Sequence, residues 1–176
     1  SVGGGQLNSA AGLFATVGGG VENTAAYTGT TVSGGWSNSA SNDYAAVGGG
    51  VGNTASGPAS TIGGGWSNTA SGESATVGGG DYNVAAAAYA TIAGGGPSNP
   101  DDSLNTNNRV TDDYGAIGGG GANRAGNSDG DPGNARYATV GGGRSNTASG
   151  GAATVGGGVG NTASGGAATV GGGEDN

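Results

Sequence analysis

Twelve carboxylates and four arginines are the only charged side chains in 176 residues, and half of the acids fall in two short segments. They are Asp101, Asp102, Asp112, Asp113, Asp129 and Asp131, accompanied by Arg109, Arg124 and Arg136. The run Asn127-Ser-Asp-Gly-Asp-Pro-Gly-Asn134 is dense in oxygen donors and in turn formers. Calcium takes about six to eight oxygens from such segments. It is therefore the candidate ion, with Asp129, Asp131, Asp101 and Asp102 as candidate ligands. No Glu stands where an EF-hand loop needs one, and solvated turns account for the same residues. Acid pairs also serve as general acid and base. The chain has no Cys and no His, hence no thiol nucleophile, imidazole base or soft-ligand zinc site. It is not expected to be an enzyme, and no cofactor other than calcium is indicated.

The remaining chemistry is that of surfaces. Arginine is the only basic residue and the net charge is −8, which argues against nucleic-acid partners, since phosphate neutralisation needs Lys and Arg. The glycine triplets lack the strand-to-helix context and the Lys of a phosphate-cradling loop. The longest mainly apolar run, Val84 to Ala93, is too short to span a bilayer, so no membrane insertion is expected from this segment. Trp36, Trp66, Tyr44, Tyr89, Tyr114 and Tyr137 recur at fixed register, which marks a contact face. Aromatics laid over glycines to cover the backbone account for them equally well.

What positions these residues is a repeat. Of 176 residues, 47 are glycine, yet only 4 are proline and the glycines come in triplets, so collagen is excluded. The β-branched residues Val2, Val17, Val32, Val47, Ile62, Val77, Ile92, Ile117, Val140, Val155 and Val170 each precede a glycine cluster. Their steps are 15 except for one of 25 and one of 23. A disordered low-complexity tract would not keep such a period. With the valine as position one, the unit reads V-G-G-G-x-x-N-T-A-S-G-x-x-A-T. It has no 3.6-residue apolar rhythm and is interrupted by glycine, so helices are excluded.

Two short strands fit the unit. The valine strand is expected from position thirteen to position two of the next unit, and the asparagine strand from seven to ten. Glycines at positions three, four and eleven are expected to supply the φ > 0 turns. The fold is then all-β: a parallel β-solenoid, or β-roll, of about eleven 15-residue coils with two strands each. Residues 1–176 form one solenoid, with loop insertions at about 97–113 and 127–136. Both loops are placed after the asparagine strand on consecutive coils, and are therefore expected to protrude side by side.

Alternation turns the valine column and the alanines of position fourteen inward, and the threonines of position fifteen outward. Asn8, Asn23, Asn38, Asn53, Asn68, Asn83, Asn123, Asn146 and Asn161, at position seven, share one face with the alanines of position nine. They are read as an internal amide ladder along the axis. The alternative places this Asn in the turn in the αL conformation. A core of Val, Ala and Asn is thin, so burial against other chains is expected.

Three phrases, Asn68-Thr-Ala-Ser-Gly, Ala75-Thr-Val-Gly-Gly-Gly and Ala153-Thr-Val-Gly-Gly-Gly, resemble the head repeats of YadA-like trimeric autotransporter adhesins. Similar repeats occur in some phage tail fibres. The resemblance covers nearly all of the chain outside the insertions. It implies a left-handed parallel β-roll, trimeric packing, a host or surface receptor, and an extracellular or cell-surface location. The period here is fifteen, one residue longer than is usual in that family, and no neck or coiled-coil stalk motif is present.

The absence of Met marks a processed or excerpted chain. Its first and last coils carry the same consensus as the middle, which is expected either of a piece of a longer repeat or of head-to-tail stacking into a filament. Three functions follow as expectations. The first is a structural extracellular subunit whose partners are copies of itself, stacked axially, packed as a trimer, or both. The second is the binding head of a surface adhesin or tail fibre. The third is an ice-binding array built on the threonine column.

Overall fold

The computed structural model describes residues Ser1 to Asn176 and is an all-β solenoid. Two ten-stranded parallel sheets run its length, one built from the valine strands and one from the asparagine strands, which alternate along the chain. Pairing is in strict register: Thr76 faces Thr61 and Thr91, Val77 faces Ile62 and Ile92, and Ala70 lies between Ala55 and Ala85. Eleven coils about 4.8 Å apart make a rod about 50 Å long. The only helical element is one 3₁₀ turn, Pro100–Asp102. No helix is long and apolar enough to cross a membrane.

The strands are shorter than the repeat suggested, two residues each, such as Thr16–Val17 and Thr24–Ala25. Backbone conformation explains why. Position thirteen, expected to open the valine strand, is left-handed in Phe14, Tyr44, Tyr89, Tyr114 and Tyr137, with φ between 57° and 63°. A strand cannot run through such a residue. Position six turns the same way at Leu7, Glu22, Ser37 and Tyr82. Glycine is needed for another reason at position four. There Gly65 has φ +93°, and a Cβ would sit 2.0 Å from the Gly80 carbonyl oxygen. The glycines of position eleven, expected to turn the chain through positive φ, do not do so. At Gly12 a Cβ would instead lie 1.8 Å from the Tyr27 carbonyl oxygen of the next coil.

Position five forms a third parallel ladder that the sequence reading had assigned to the glycine turn. Val21 bridges Trp36, Trp36 bridges Val51, and Val51 bridges Trp66. Only 18 of 101 backbone–backbone hydrogen bonds fall within the named strands, so axial bonding extends well beyond them into the corners.

The inward columns are those expected. Val17, Val32, Val47, Ile62, Val77, Ile92, Ile117, Val140 and Val155 are buried, as are the alanines of position nine from Ala25 on and most of position fourteen. Small inward residues let the two sheets approach closely, and each coil seals the next. The outermost valine, Val2, has no coil above it and is half exposed.

The two insertions enter at different corners. The first, Pro97 to Asn107, lies between the position-five bridge of Gly96 and the strand Arg109–Val110, hence before the asparagine strand rather than after it. Residues 108–113 belong to the coil itself, since Val84 pairs with Arg109 and Ala85 with Val110. The second insertion follows Arg124–Ala125, as expected, and rejoins the coil before Tyr137. The loops therefore flank the asparagine strand from its two ends.

Candidate functional site

The asparagine column is the internal feature with the most elaborate bonding. From Asn23 to Asn161 these side chains are buried, and each Oδ1 except that of Asn83 accepts the backbone N–H of the asparagine one coil on. Asn38 Nδ2 donates to the Gly34 carbonyl of its own coil (3.0 Å) and to the Gly50 carbonyl of the next (2.8 Å). Along much of the column Nδ2 also meets the preceding Oδ1, as in Asn53 to Asn38 and Asn83 to Asn68 at 3.1 Å. The ladder is thus an amide stack interlaced with the glycine corner, which satisfies buried polar groups of both. Asn8, at the first coil, is only half buried but bonds in the same way.

Sequence reading passed over one member. Asn108 Nδ2 donates to Asn83 Oδ1, and Asn108 Oδ1 accepts the Asn123 backbone N–H, so the ladder runs unbroken through the enlarged coil. Counting back one period from Asn123 lands on Asn108, and that count was the available signal.

The aromatics are exposed on the outside of the rod. The structure brings some of them together. Tyr89, Tyr114 and Tyr137 stack on three successive coils, with ring centroids 4.9 and 5.0 Å apart and planes within 18°. Trp66 packs obliquely on Tyr82, centroids 5.2 Å apart. The Trp36 indole N–H donates to Glu22 Oε2 at 3.2 Å. Tyr44 stands outside the tyrosine stack, its ring against Gly29. The outward threonine column is interrupted by Ala46 and Ala116 within the ladder.

The acids named for calcium divide between the two loops. Asp101 and Asp102 sit in the 3₁₀ turn capped by Asn99, where Asp102 Oδ1 accepts from Asn105 Nδ2. In the second loop, Asp129 accepts the Asp131 backbone N–H and both Asn134 and Asn127 amides, and Asp131 accepts the Gly133 N–H. The Asp131 N–H and the Asn134 amide hold the Asp129 carboxyl below its ordinary value. No three acidic side chains of the chain come together.

Asp112, named only as one of the loop acids, has a structural place of its own. It is buried and accepts the Asn127 backbone N–H (2.9 Å), the Ala135 N–H (3.3 Å) and the Thr111 hydroxyl (3.1 Å). One carboxylate on the neighbouring coil thus ties both ends of the second loop. Asp113 lies 3.7 Å from Arg136, the only ion pair of the chain. Arg109 and Arg124 lie side by side as register partners on adjacent coils. No protein-family model matches the chain, and no curated protein matches it.

Proposed function

We propose that this chain is a structural rod, a subunit of an extracellular fibre in which copies add coil upon coil along the axis. The observation that carries the reading is the strict register of the two sheets, accompanied by the position-five ladder, which is interrupted only between Asp81 and Gly96. Each coil offers the next the same row of donors, acceptors and small inward residues that it receives from the one before. A coil of one copy is therefore a fitting template for a coil of another, and such head-to-tail pairing does not close on itself. The net charge of −8 limits side-by-side clumping while leaving axial pairing to backbone hydrogen bonds. The extracellular assignment rests on the resemblance to adhesin and tail-fibre repeats.

Negative-stain electron microscopy of the purified chain over a concentration series tests this. Filaments one rod wide, with an axial repeat near the length of the solenoid, support it. Discrete particles of fixed stoichiometry at every concentration overturn it. A second reading, a binding head, is favoured by one observation: the stacked tyrosines and both loops occupy the same stretch of coils. Fixed trimers in light scattering would favour this second reading over the fibre.

A further inference from the structure

The chain carries four arginines against twelve acids, yet two of the four are set side by side without an acidic partner. Arg109 and Arg124 are register partners at position eight of adjacent coils, where the neighbouring coils carry Val84 and Thr147. Their Cα atoms are therefore about 4.8 Å apart. Like charges placed opposite one another on parallel strands oppose folding. Neither guanidinium makes an ion pair; the single pair in the chain is Arg136 with Asp113. Both line one cleft of about 310 Å³, with Leu104, Asn105 and Asn107 from the first loop and Ser128 from the second.

An independent observation points into the same cleft. Asn107 is only 6% exposed, and its side-chain amide has no hydrogen-bond partner, although it lines the cleft. Every other buried asparagine of the chain is bonded in the ladder. The Ser60 hydroxyl is the one sealed side-chain polar group without a partner, so the Asn107 amide is reached by solvent, and a ligand in the cleft would take the place of water on it. The acids nearby are otherwise engaged. Asp102 accepts from Asn105. Asp112, Asp113 and Asp131 border the adjoining cleft with Arg109; Asp112 accepts two backbone N–H groups of the second loop, Asp113 pairs with Arg136, and Asp131 accepts the Gly133 N–H.

We infer that this cleft is an anion-binding site for a doubly charged tetrahedral oxyanion, a phosphate group or sulfate, held between the Arg109 and Arg124 guanidinium groups with the Asn107 amide as a further donor. Guanidinium groups present planar donor pairs that suit the oxygens of such a group, and two positive charges match its charge, whereas a single carboxylate neutralises only one. The first loop supplies Asn107 to the lining of the cleft and the second supplies Ser128. The inference does not depend on whether copies stack.

The test is a ¹⁵N-NMR titration of the 176-residue chain at low ionic strength with inorganic phosphate, sulfate, glucose 6-phosphate and acetate. Phosphate and sulfate are expected to give saturable shifts confined to Asn107, Arg109, Arg124 and Ser128. Arg109→Gln and Arg124→Gln should each weaken phosphate at least about tenfold. Arg124→Lys should fall between these and the unaltered chain, while Arg144→Gln, which is not among the residues lining the cleft, should change it less than about twofold. Far-UV circular dichroism checks that each variant is folded. Binding of the sugar phosphate as tightly as the free ion identifies a phosphorylated ligand as the source. Binding of the free ions alone identifies a free oxyanion, and either result sustains the site. Three outcomes overturn it: no saturable shift with phosphate or sulfate on the order of 10 mM, acetate binding as tightly as phosphate, or Arg144→Gln costing as much as Arg124→Gln.

Discussion

Replacing Asn53 with Ala tests the amide ladder directly. The Asn53 side chain donates to Gly49 O (2.9 Å), Gly65 O (2.8 Å) and Asn38 Oδ1 (3.1 Å). It accepts from the Asn68 backbone N–H (3.0 Å) and the Asn68 amide (3.1 Å). Truncation leaves the Asn68 N–H buried without an acceptor, at about 1–3 kcal/mol. The two glycine carbonyls belong to residues that are half buried or exposed, so water restores part of their bonding and they add about 0.5–1 kcal/mol each. The expected loss is about 2–5 kcal/mol, or about 4–20 °C in Tm for a chain of this size. Urea unfolding followed by circular dichroism, with the fluorescence of Trp36 and Trp66 reporting on coils close by, measures it. Asn53→Asp sharpens the test. A carboxylate keeps the acceptor for Asn68 but faces the two carbonyls with no donor, so at neutral pH it should cost more than Ala. Its pKa must rise on folding, so the deficit is greatest above that pKa and shrinks as the pH falls through it. An Asn53→Ala loss below about 0.5 kcal/mol, within the range of inert surface changes, would refute the reasoning. So would an Asn53→Asp variant that tracks Asn53→Ala at every pH.

Other changes have expected outcomes of their own. Ser60→Ala should stabilise by about 1 kcal/mol in chemical denaturation, because the Ser60 hydroxyl is buried with no partner. Gly65→Ala, which forces a Cβ to 2.0 Å from the Gly80 oxygen at φ +93°, should prevent normal folding, as read by circular dichroism. Gly151→Ala, whose Cβ meets nothing nearer than 3.5 Å, should leave the spectrum and Tm unchanged. Tyr114→Ala removes two stacking partners at once and should cost about 1–3 kcal/mol by urea unfolding. The Asp129 carboxyl is held low by the bonds that order its loop, so those bonds contribute above its unfolded pKa and are lost as the pH falls through the lower folded value. Amide-exchange protection at Asp131 should therefore persist at pH 5 and collapse only in strong acid.

The solenoid and its inward columns were legible because the period is a count, and counting survives ignorance of conformation. Val77, Ala70 and Asn68 each recur at a fixed step, and alternation then decides their face. Strand length was not legible. Tyr89 and Tyr114 have residue types that favour strands, yet tertiary context holds them left-handed. The third ladder was hidden because position five carries Val, Trp, Gly, Asp and Arg in turn, and backbone pairing there does not depend on the side chain. The place of the first loop is legible only by stepping back from Ile117, because a forward step from Ile92 puts Ser98 at position seven and leaves Asn108 outside the column. The pairing of Arg109 with Arg124 follows from the same backward step, since it appears only once both residues stand at position eight.

Strict register also makes the rod a ruler. Each coil touches only the coils on either side of it, so removing or duplicating one fifteen-residue unit changes length by a single rung and leaves every other interface intact. A gene of this kind can lengthen or shorten its product by unequal recombination without passing through an unfolded intermediate form. A deletion of any other size must be absorbed at a corner. The two corners that already hold extra residues, after Gly96 and after Gly126, mark where such variation has been accommodated and where new sequence can be grafted at least cost.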